Sequence, residues 1–221
     1  LDARYARVFR YPAFDEQSDY AFSGESAVFN SDLDPERGHH ATLGTEASVE
    51  DLGPGALTVA VNPYAVFMRD EIAFDADAPA SNANLDGTRR LGATAEAGYA
   101  TERLSLSGGY SYTRAEFNDG PNAGSTIPLV PEHSGTADVG YSLPAGLSLA
   151  ADARASGRFY KSGDEANEAD RAPARVELGS RVSWEPSFVD GLRVYAAGKN
   201  LLDDRNPTFV SASAWYPMPG R

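Results

Sequence analysis

The fold is decided by residues 90–117, which read RLGATAEAGYATERLSLSGGYSYTRAEF. In each half of this stretch, apolar and polar residues alternate with the two-residue period of a β-strand whose two faces meet different surroundings. The apolar positions are Leu91, Ala93, Ala95, Ala97 and Tyr99 in the first half, then Leu104, Leu106, Tyr110 and Tyr112 in the second. A tight connection at residues 100–102 joins the halves, so the stretch predicts a β-hairpin with one apolar and one polar face.

The same alternation recurs along the whole chain and predicts an all-β, antiparallel meander of about nine strands. Outside the hairpin, the predicted strands are residues 1–11, 39–52, 56–70, 137–143, 147–160, 175–184 and 192–197. Pro63 interrupts one of them, and because proline donates no ladder hydrogen bond we expect a bulge or a strand end there. Residues 12–38 are expected to form a long polar connection.

The connections between these strands are of two alternating kinds. Short turns are predicted at residues 53–55, 100–102, 144–146 and 186–191, and they alternate with loops of a dozen or more residues. Bacterial outer-membrane barrels have short periplasmic turns and long outside loops. The polar faces also carry carboxylates and guanidinium groups that a dry protein core could not hold without partners. The sequence therefore predicts a transmembrane β-barrel whose strands are long enough to cross a bilayer when tilted.

Composition excludes several classes of protein. The formal net charge of −13 would repel nucleic-acid phosphates, so no nucleic-acid partner is expected. The absence of cysteine excludes disulfide bonds and thiolate metal sites. No phosphate-binding loop, nucleophile elbow or ordered Ser-His-Asp set stands out, so neither an enzyme nor a cofactor is expected.

Two features of the sequence could suggest metal sites. His39 and His40 are adjacent, so in a strand they point to opposite faces, and a pair at a loop edge is the preferred interpretation. The acidic stretches 75–86 and 164–170 lack the spacing of a calcium loop and are predicted to be solvated loops. No metal site is expected.

Four segments together resemble the TonB-dependent outer-membrane receptors. They occur in that family's order, as FRYPAFDE at 9–16, IPLVPEH at 127–133, NLLDDR at 200–205 and YPMPGR at 216–221. In these receptors the NLLDDR-like segment closes the penultimate strand and the PGR segment opens the last one. The positions that match these two motifs are Asn200, Leu201, Asp203, Pro219, Gly220 and Arg221.

The resemblance implies that residues 1–221 are the C-terminal portion of a plugged barrel of about 22 strands. The plug domain, the TonB box and the last strand would then lie outside this sequence. It further implies energy-coupled import of a scarce ligand across the bacterial outer membrane, most often a ferric siderophore, with cobalamin, haem or oligosaccharides as alternatives. The implied partners are outer-membrane lipid, the TonB-ExbB-ExbD system and that small ligand.

One group of charged residues is predicted to line the barrel lumen. It consists of Arg154, Arg158, Arg175, Glu177, Arg181 and Arg193. These groups would either pair across the lumen wall or contact a plug, or some of them would line the route of an anionic ligand. A passive porin, an autotransporter barrel and a soluble β-barrel binding protein remain as alternatives, and a plug domain upstream would decide for the receptor.

Overall fold

The computed structural model describes residues 1–18, 29–75, 81–211 and 214–220. Within these ranges the chain forms thirteen strands, a short helix and a 3₁₀ turn at Pro144–Gly146, and no helix is long and apolar enough to cross a membrane. The elements are β1 (Asp2–Arg10), α1 (Phe14–Gln17), β2 (Glu36–Leu52), β3 (Gly55–Arg69), β4 (Ile72–Phe74), β5 (Asn82–Asn84), β6 (Thr88–Thr101), β7 (Leu104–Phe117), β8 (His133–Ser142), the 3₁₀ turn (Pro144–Gly146), β9 (Leu147–Ser156), β10 (Arg175–Trp184), β11 (Val194–Gly198), β12 (Pro207–Val210) and β13 (Trp215–Pro217).

Nine of these strands form a single antiparallel sheet in the order β1-β2-β3-β6-β7-β8-β9-β10-β11. Each strand of the sheet pairs with the next one along the chain, apart from the small β4-β5 hairpin inserted after β3. A second small hairpin, β12-β13, follows the sheet. The structure thus confirms the predicted nine-stranded meander, and the hairpin that decides the fold is β6-β7.

The predicted asymmetry of the connections is also confirmed. The turns after β2, β6, β8 and β10 lie at one end of the sheet, and the longer connections lie at the other. Gly146, in the turn after β8, has a φ of +76°, and a Cβ there would collide with the carbonyl of Glu185. The Glu185 amide donates to the Gly146 carbonyl at 2.9 Å, so glycine lets two neighbouring short turns approach closely.

The two faces of the sheet differ in chemistry, and we call them the lipid face and the lumen face. The lipid face carries the apolar side chains of the alternating pattern, and large ones remain well exposed on six consecutive strands. These include Leu43, Val59, Leu91, Leu106, Val139 and Leu149. A contiguous apolar surface of this extent needs a covering phase. Hydrocarbon outside the sheet supplies it, as the predicted barrel requires.

Buried apolar packing is found at the long-loop end. Ala115 and Phe117, at the end of β7, pack against Ile127. A second cluster joins Phe159 and Ala172, both in the connection between β9 and β10, to Val210 of β12. Backbone bonds join these loops to one another, including Leu129 N to Tyr160 O at 2.9 Å and Ser162 N to Val210 O at 2.9 Å. The described parts of the connections after β7, β9 and β11 therefore pack together as a layer at one end of the sheet, which we call the loop layer.

Two strand boundaries differ from the prediction. β9 ends at Ser156 instead of residue 160, because the Gly157 amide turns to the His133 carbonyl at 2.8 Å. Phe159 was expected on the lipid face, but it is only 3% exposed and belongs to the loop layer. β2 begins at Glu36, so His39 and His40 lie within a strand and are not a loop-edge pair.

The expectation of a bulge or strand end at Pro63 is wrong. β3 runs unbroken through it, and Pro63 pairs with Ala93 of β6. On the other side, the ladder pairs Thr42 with Tyr64 and Thr45 with Val61 and omits the pairs between them without shifting register. Because proline has no amide hydrogen, the ladder between β2 and β3 is interrupted at this one place. Beside the interruption, the Thr45 hydroxyl donates to the Val61 carbonyl at 2.5 Å.

Candidate functional site in the lumen wall

Pairing between neighbouring strands brings charged side chains of the lumen face into one row. Glu177 of β10 lies opposite Arg154 of β9, and Glu96 of β6 lies opposite Ala60 of β3, which in turn faces Glu46 of β2. The complete row is Glu46, Ala60, Glu96, Gly109, Thr136, Arg154 and Glu177. Residues far apart in the sequence therefore form one polar band across seven strands.

The part of this band on β2 to β8 is acidic. A cleft of about 400 Å³ is lined by Glu46, Glu96 and Asp138 together with small and hydroxyl side chains. Asp138 also lies directly opposite Asp152 of β9, which places like charges side by side. Among the described residues no ion pair neutralises these four carboxylates. Such a wall attracts cations and repels anions.

The part on β9 and β10 is basic. Arg154 pairs in register with Glu177, yet no hydrogen bond or ion pair within 4.0 Å joins them in the described chain. Arg175 donates from Nη1 to the Pro207 carbonyl at 3.3 Å. The Cζ atom of Arg181 lies 5.4 Å from the ring centre of Tyr195, a cation–π arrangement. These guanidinium groups keep donors available for an anionic ligand.

The structure does not bring all six predicted lumen residues together. Arg154, Arg175, Glu177 and Arg181 share the lumen face of β9 and β10. Arg158 lies beyond the end of β9, because the strand stops at Ser156. Arg193 precedes β11 at the short-turn end, where its Nε contacts Glu185 Oε1 at 2.5 Å. A single ladder of six charged residues was therefore the wrong interpretation for Arg158 and Arg193.

Sequence reasoning missed two members of this wall. Asp138 was not among the predicted site residues, and Tyr195 was not recognised as the partner of Arg181. The signal that could have found them is the register. Counting outward from the short turns, where few residues separate paired strands, places Asp138 opposite Asp152 and Tyr195 opposite Ser183, next to Arg181.

The motif positions after β11 form a structural clasp, which we define as residues 200–206. The Asn200 side chain is buried, donates from Nδ2 to the carbonyls of Asp204 at 2.9 Å and Pro219 at 2.7 Å, and accepts from the Asp204 amide at 3.0 Å. Leu201 donates its amide to the Leu178 carbonyl at 2.9 Å, which ties the clasp to β10. Asp203 contacts Arg205 at 3.3 Å. Arg221 lies outside the described residues, and Gly220 lies beside Asp203.

Two carboxylates in the loops have lowered pKa values. The pKa of Asp204 lies below its ordinary value because its Oδ2 accepts from the Val176 amide and its Oδ1 from the Asn206 amide, both at 2.8 Å. The pKa of Glu16 is lowered mainly by Arg10, whose Nη1 lies 2.7 Å from Glu16 Oε2. Both groups hold charge at the long-loop end, outside the membrane-spanning part of the sheet.

The histidine pair has local partners on opposite faces of β2. His39 Nδ1 lies 2.6 Å from the Tyr5 hydroxyl, and His40 Nε2 lies 3.0 Å from the Thr42 hydroxyl. In the ranges that the structure covers, no three histidine or carboxylate side chains gather as a metal centre would require. Asp77, in the acidic stretch weighed as a calcium loop, lies outside those ranges.

Comparison with known proteins decides the family. The model of the TonB dependent receptor-like beta-barrel matches residues 1–201. The chain belongs to the TonB-dependent receptor family. Its place is accordingly the bacterial outer membrane, as predicted, with the long loops at the cell exterior. No curated protein matches the sequence.

Solved structures of TonB-dependent receptors share the fold. The ferric-catecholate import receptor Fiu from Escherichia coli K12 superposes with a TM-score of 0.69 at 20% identity, covering 99% of this chain and 30% of that one. The ferric yersiniabactin uptake receptor FyuA from Yersinia pestis gives 0.70 at 18% identity, covering 98% and 32%. The copper transporter OprC gives 0.73 at 16% identity, covering 99% and 35%. The chain thus spans about a third of the length of these structures.

Proposed function

We propose that this chain is the C-terminal portion of the barrel of a longer TonB-dependent receptor that imports an iron–siderophore complex by energy-coupled active transport. The observation that carries the proposal is the family match over residues 1–201. Siderophore receptors among the similar folds, Fiu and FyuA, support the choice of ligand. A plug domain and a TonB box upstream would connect the receptor to the TonB-ExbB-ExbD system, and a further strand would follow residue 221.

The basic part of the lumen wall supports an anionic ligand. The free donors of Arg154 and Arg181 suit carboxylate or catecholate oxygens at the surface of a ferric complex, since guanidinium groups bind paired oxygens in a fixed fork. Tyr195, beside Arg181, offers an aromatic face for a ligand ring. The acidic wall on β2 to β8 would repel the same ligand and bias it toward β9 and β10.

Uptake of radioactive iron by iron-starved cells tests this function. Cells that make the complete receptor should accumulate ferric siderophore, and collapse of the proton gradient should abolish accumulation. The double substitution Arg154→Gln, Arg181→Gln should reduce uptake at limiting ligand by roughly a hundredfold, as expected for two lost charge-assisted contacts of about 1.5 kcal/mol each. Arg4→Gln, Arg193→Gln is the matched control, because it removes the same number of charges where Arg4 pairs with Asp2 and Arg193 with Glu185. Uptake that survives loss of the proton gradient would instead indicate a passive pore.

A second candidate is import of a metal cation, and the acidic cleft favours it. Glu46, Glu96 and Asp138 line one cleft without a neutralising arginine in the described chain, and the copper transporter OprC shares the fold. Energy-dependent copper uptake that falls in a Glu96→Gln, Asp138→Asn variant, with iron uptake absent, would replace the siderophore proposal. Loss of uptake on substitution in the basic half of the wall, on β9 and β10, would thus indicate the siderophore. Loss on substitution in the acidic half, on β2 to β8, would indicate the metal cation.

A further inference from the structure

Three arginines lie together on the lipid face at the long-loop ends of β1, β2 and β3. Arg37 of β2 pairs directly with Arg69 of β3. Arg7 of β1 pairs with His39, which is the next lipid-facing position of β2 after Arg37. All three side chains are exposed on the surface of the sheet. We call Arg7, Arg37 and Arg69 the rim arginines.

The rim arginines have no protein counter-charge in the described chain. Eight other arginines take part in ion pairs within 4.0 Å, whereas these three make no ion pair and no side-chain hydrogen bond. Like charges that lie directly opposite on neighbouring strands destabilise a sheet. An anion from outside the chain would remove this repulsion.

A cleft of about 560 Å³ is built around them. Its lining includes all three rim arginines together with His39, Phe67 and Asp70. Three guanidinium groups thus face one carboxylate among the described lining residues, so the cleft is positive.

The register places this cleft at the level of lipid headgroups. From Ala41 to Val49, nine residues of β2, the lipid-facing side chains are apolar or threonine, and nine to eleven tilted residues span the hydrocarbon. Above them comes an aromatic row in which the Tyr5 ring stacks on His39 at 5.9 Å, as in an interfacial girdle. Arg7 lies in this row, opposite His39, and Arg37 and Arg69 take the next positions outward. The long-loop end is the cell exterior, so the level is that of the outer leaflet.

We propose that the rim arginines bind the phosphate groups of an anionic lipid in the outer leaflet. Arginine presents paired donors that match phosphate oxygens, and such contacts strengthen where water is partly excluded. The apolar and aromatic side chains below would hold the acyl chains of the same lipid. This interaction surface is independent of the ligand that the lumen transports.

Native mass spectrometry of the complete receptor in detergent, titrated with diphosphorylated lipid A, tests the proposal. The variant Arg37→Gln, Arg69→Gln should bind this probe about 25-fold more weakly, at roughly fivefold for each arginine near a lipid surface. Arg37→Lys, Arg69→Lys should stay within about fivefold of the original protein, because lysine still binds phosphate as a point charge. The control Arg4→Gln, Arg193→Gln removes two charges that pair with Asp2 and Glu185 and should bind normally.

Several results would overturn the proposal. They are unchanged binding by the glutamine variant, equal loss in the control, equal binding of dephosphorylated lipid, and displacement of the lipid by inorganic phosphate at matching concentration. A shift in gel mobility on heating reports whether each variant is folded. If the double variant is unfolded, Arg7→Gln alone decides the matter, with an expected loss of about fivefold and refutation if binding is unchanged.

Discussion

The lipid face and the lumen face of the same sheet hold charge in different ways. On the lipid face, Glu116 at the end of β7 is only 6% exposed and is clasped by Arg89 at 2.8 Å and Arg114 at 2.5 Å. On the lumen face, Glu96 of the neighbouring strand has no ion pair among the described residues. On two neighbouring strands, therefore, the carboxylate of Glu116 is held by two arginines and the carboxylate of Glu96 faces solvent.

The difference shows that the medium beyond each face determines the cost of a charge. Water in the lumen solvates Glu46, Glu96 and Asp138 individually, so pairing brings little gain. The Glu116 carboxylate is buried, so without basic partners it would lose its hydration with no compensation, and Arg89 and Arg114 replace the lost water. The alternation in sequence thus records two solvents, which is why a chain with 23% charged residues can cross a membrane.

The largest expected effect comes from placing one charge on either face. Ala95 faces lipid near the middle of β6, and its neighbour Thr94 faces the lumen. Ala95→Arg should lower the free energy of unfolding by about 2–4 kcal/mol, the cost of a guanidinium near the bilayer midplane. Thr94→Arg should change it by less than about 1 kcal/mol, because water reaches the lumen face. Urea unfolding of the complete receptor in lipid vesicles measures both. Equal destabilisation would mean that the lumen face is dry at this level.

A smaller effect is expected from removing a carboxylate on either face. Glu116→Gln should cost about 1–3 kcal/mol in the same unfolding measurement, because two guanidinium groups lose their acceptor at the lipid face. Glu96→Gln is the matched change on the lumen face and should stay within about 0.5 kcal/mol. A large loss in Glu96→Gln would reveal a basic partner for it elsewhere in the complete receptor, and the contrast between the faces would then fail.

The alternating pattern predicted the strands, their order and the sides on which the short and long connections lie. These features follow from local periodicity, because the lipid-facing residues at the depth of the hydrocarbon are uncharged regardless of their neighbours. Phe159 and Arg158 show where periodicity ends, since both continue the pattern of β9 in sequence but leave its direction after Gly157. A turn of the backbone into the loop layer is a tertiary event, and the Phe159 position depends on Ala172 and Val210.

The candidate site was predicted in composition but not in arrangement. The inward direction of Arg154, Arg175, Glu177 and Arg181 followed from parity along the strand and is what the structure shows. The acidic row across β2 to β8 depends on the pairing register between neighbouring strands. That register is determined by the length and geometry of each turn. Arg193 was misplaced for the same reason, since Gly191, at a φ of +73°, redirects the chain before β11 begins.

The smallest expected effect concerns a carboxylate that belongs to neither face. Asp204, in the clasp beyond β11, accepts amides of Val176 and Asn206, and its pKa is lowered from the ordinary value of 3.8. A carboxylate whose pKa is lower in the folded state than in the unfolded state stabilises the fold at pH values above its unfolded-state pKa. This stabilisation is lost as the pH falls through the folded-state pKa. Amide exchange at Val176 and Asn206, corrected for intrinsic rates, should therefore be steady from pH 7 to about 5 and accelerate below pH 4. Asp204→Asn should exchange faster at pH 7 and lack the acid-induced step, because an amide does not titrate there. An acid step that persists in this variant would assign the loosening to another group, with Glu16 as the next carboxylate whose pKa is lowered at this end.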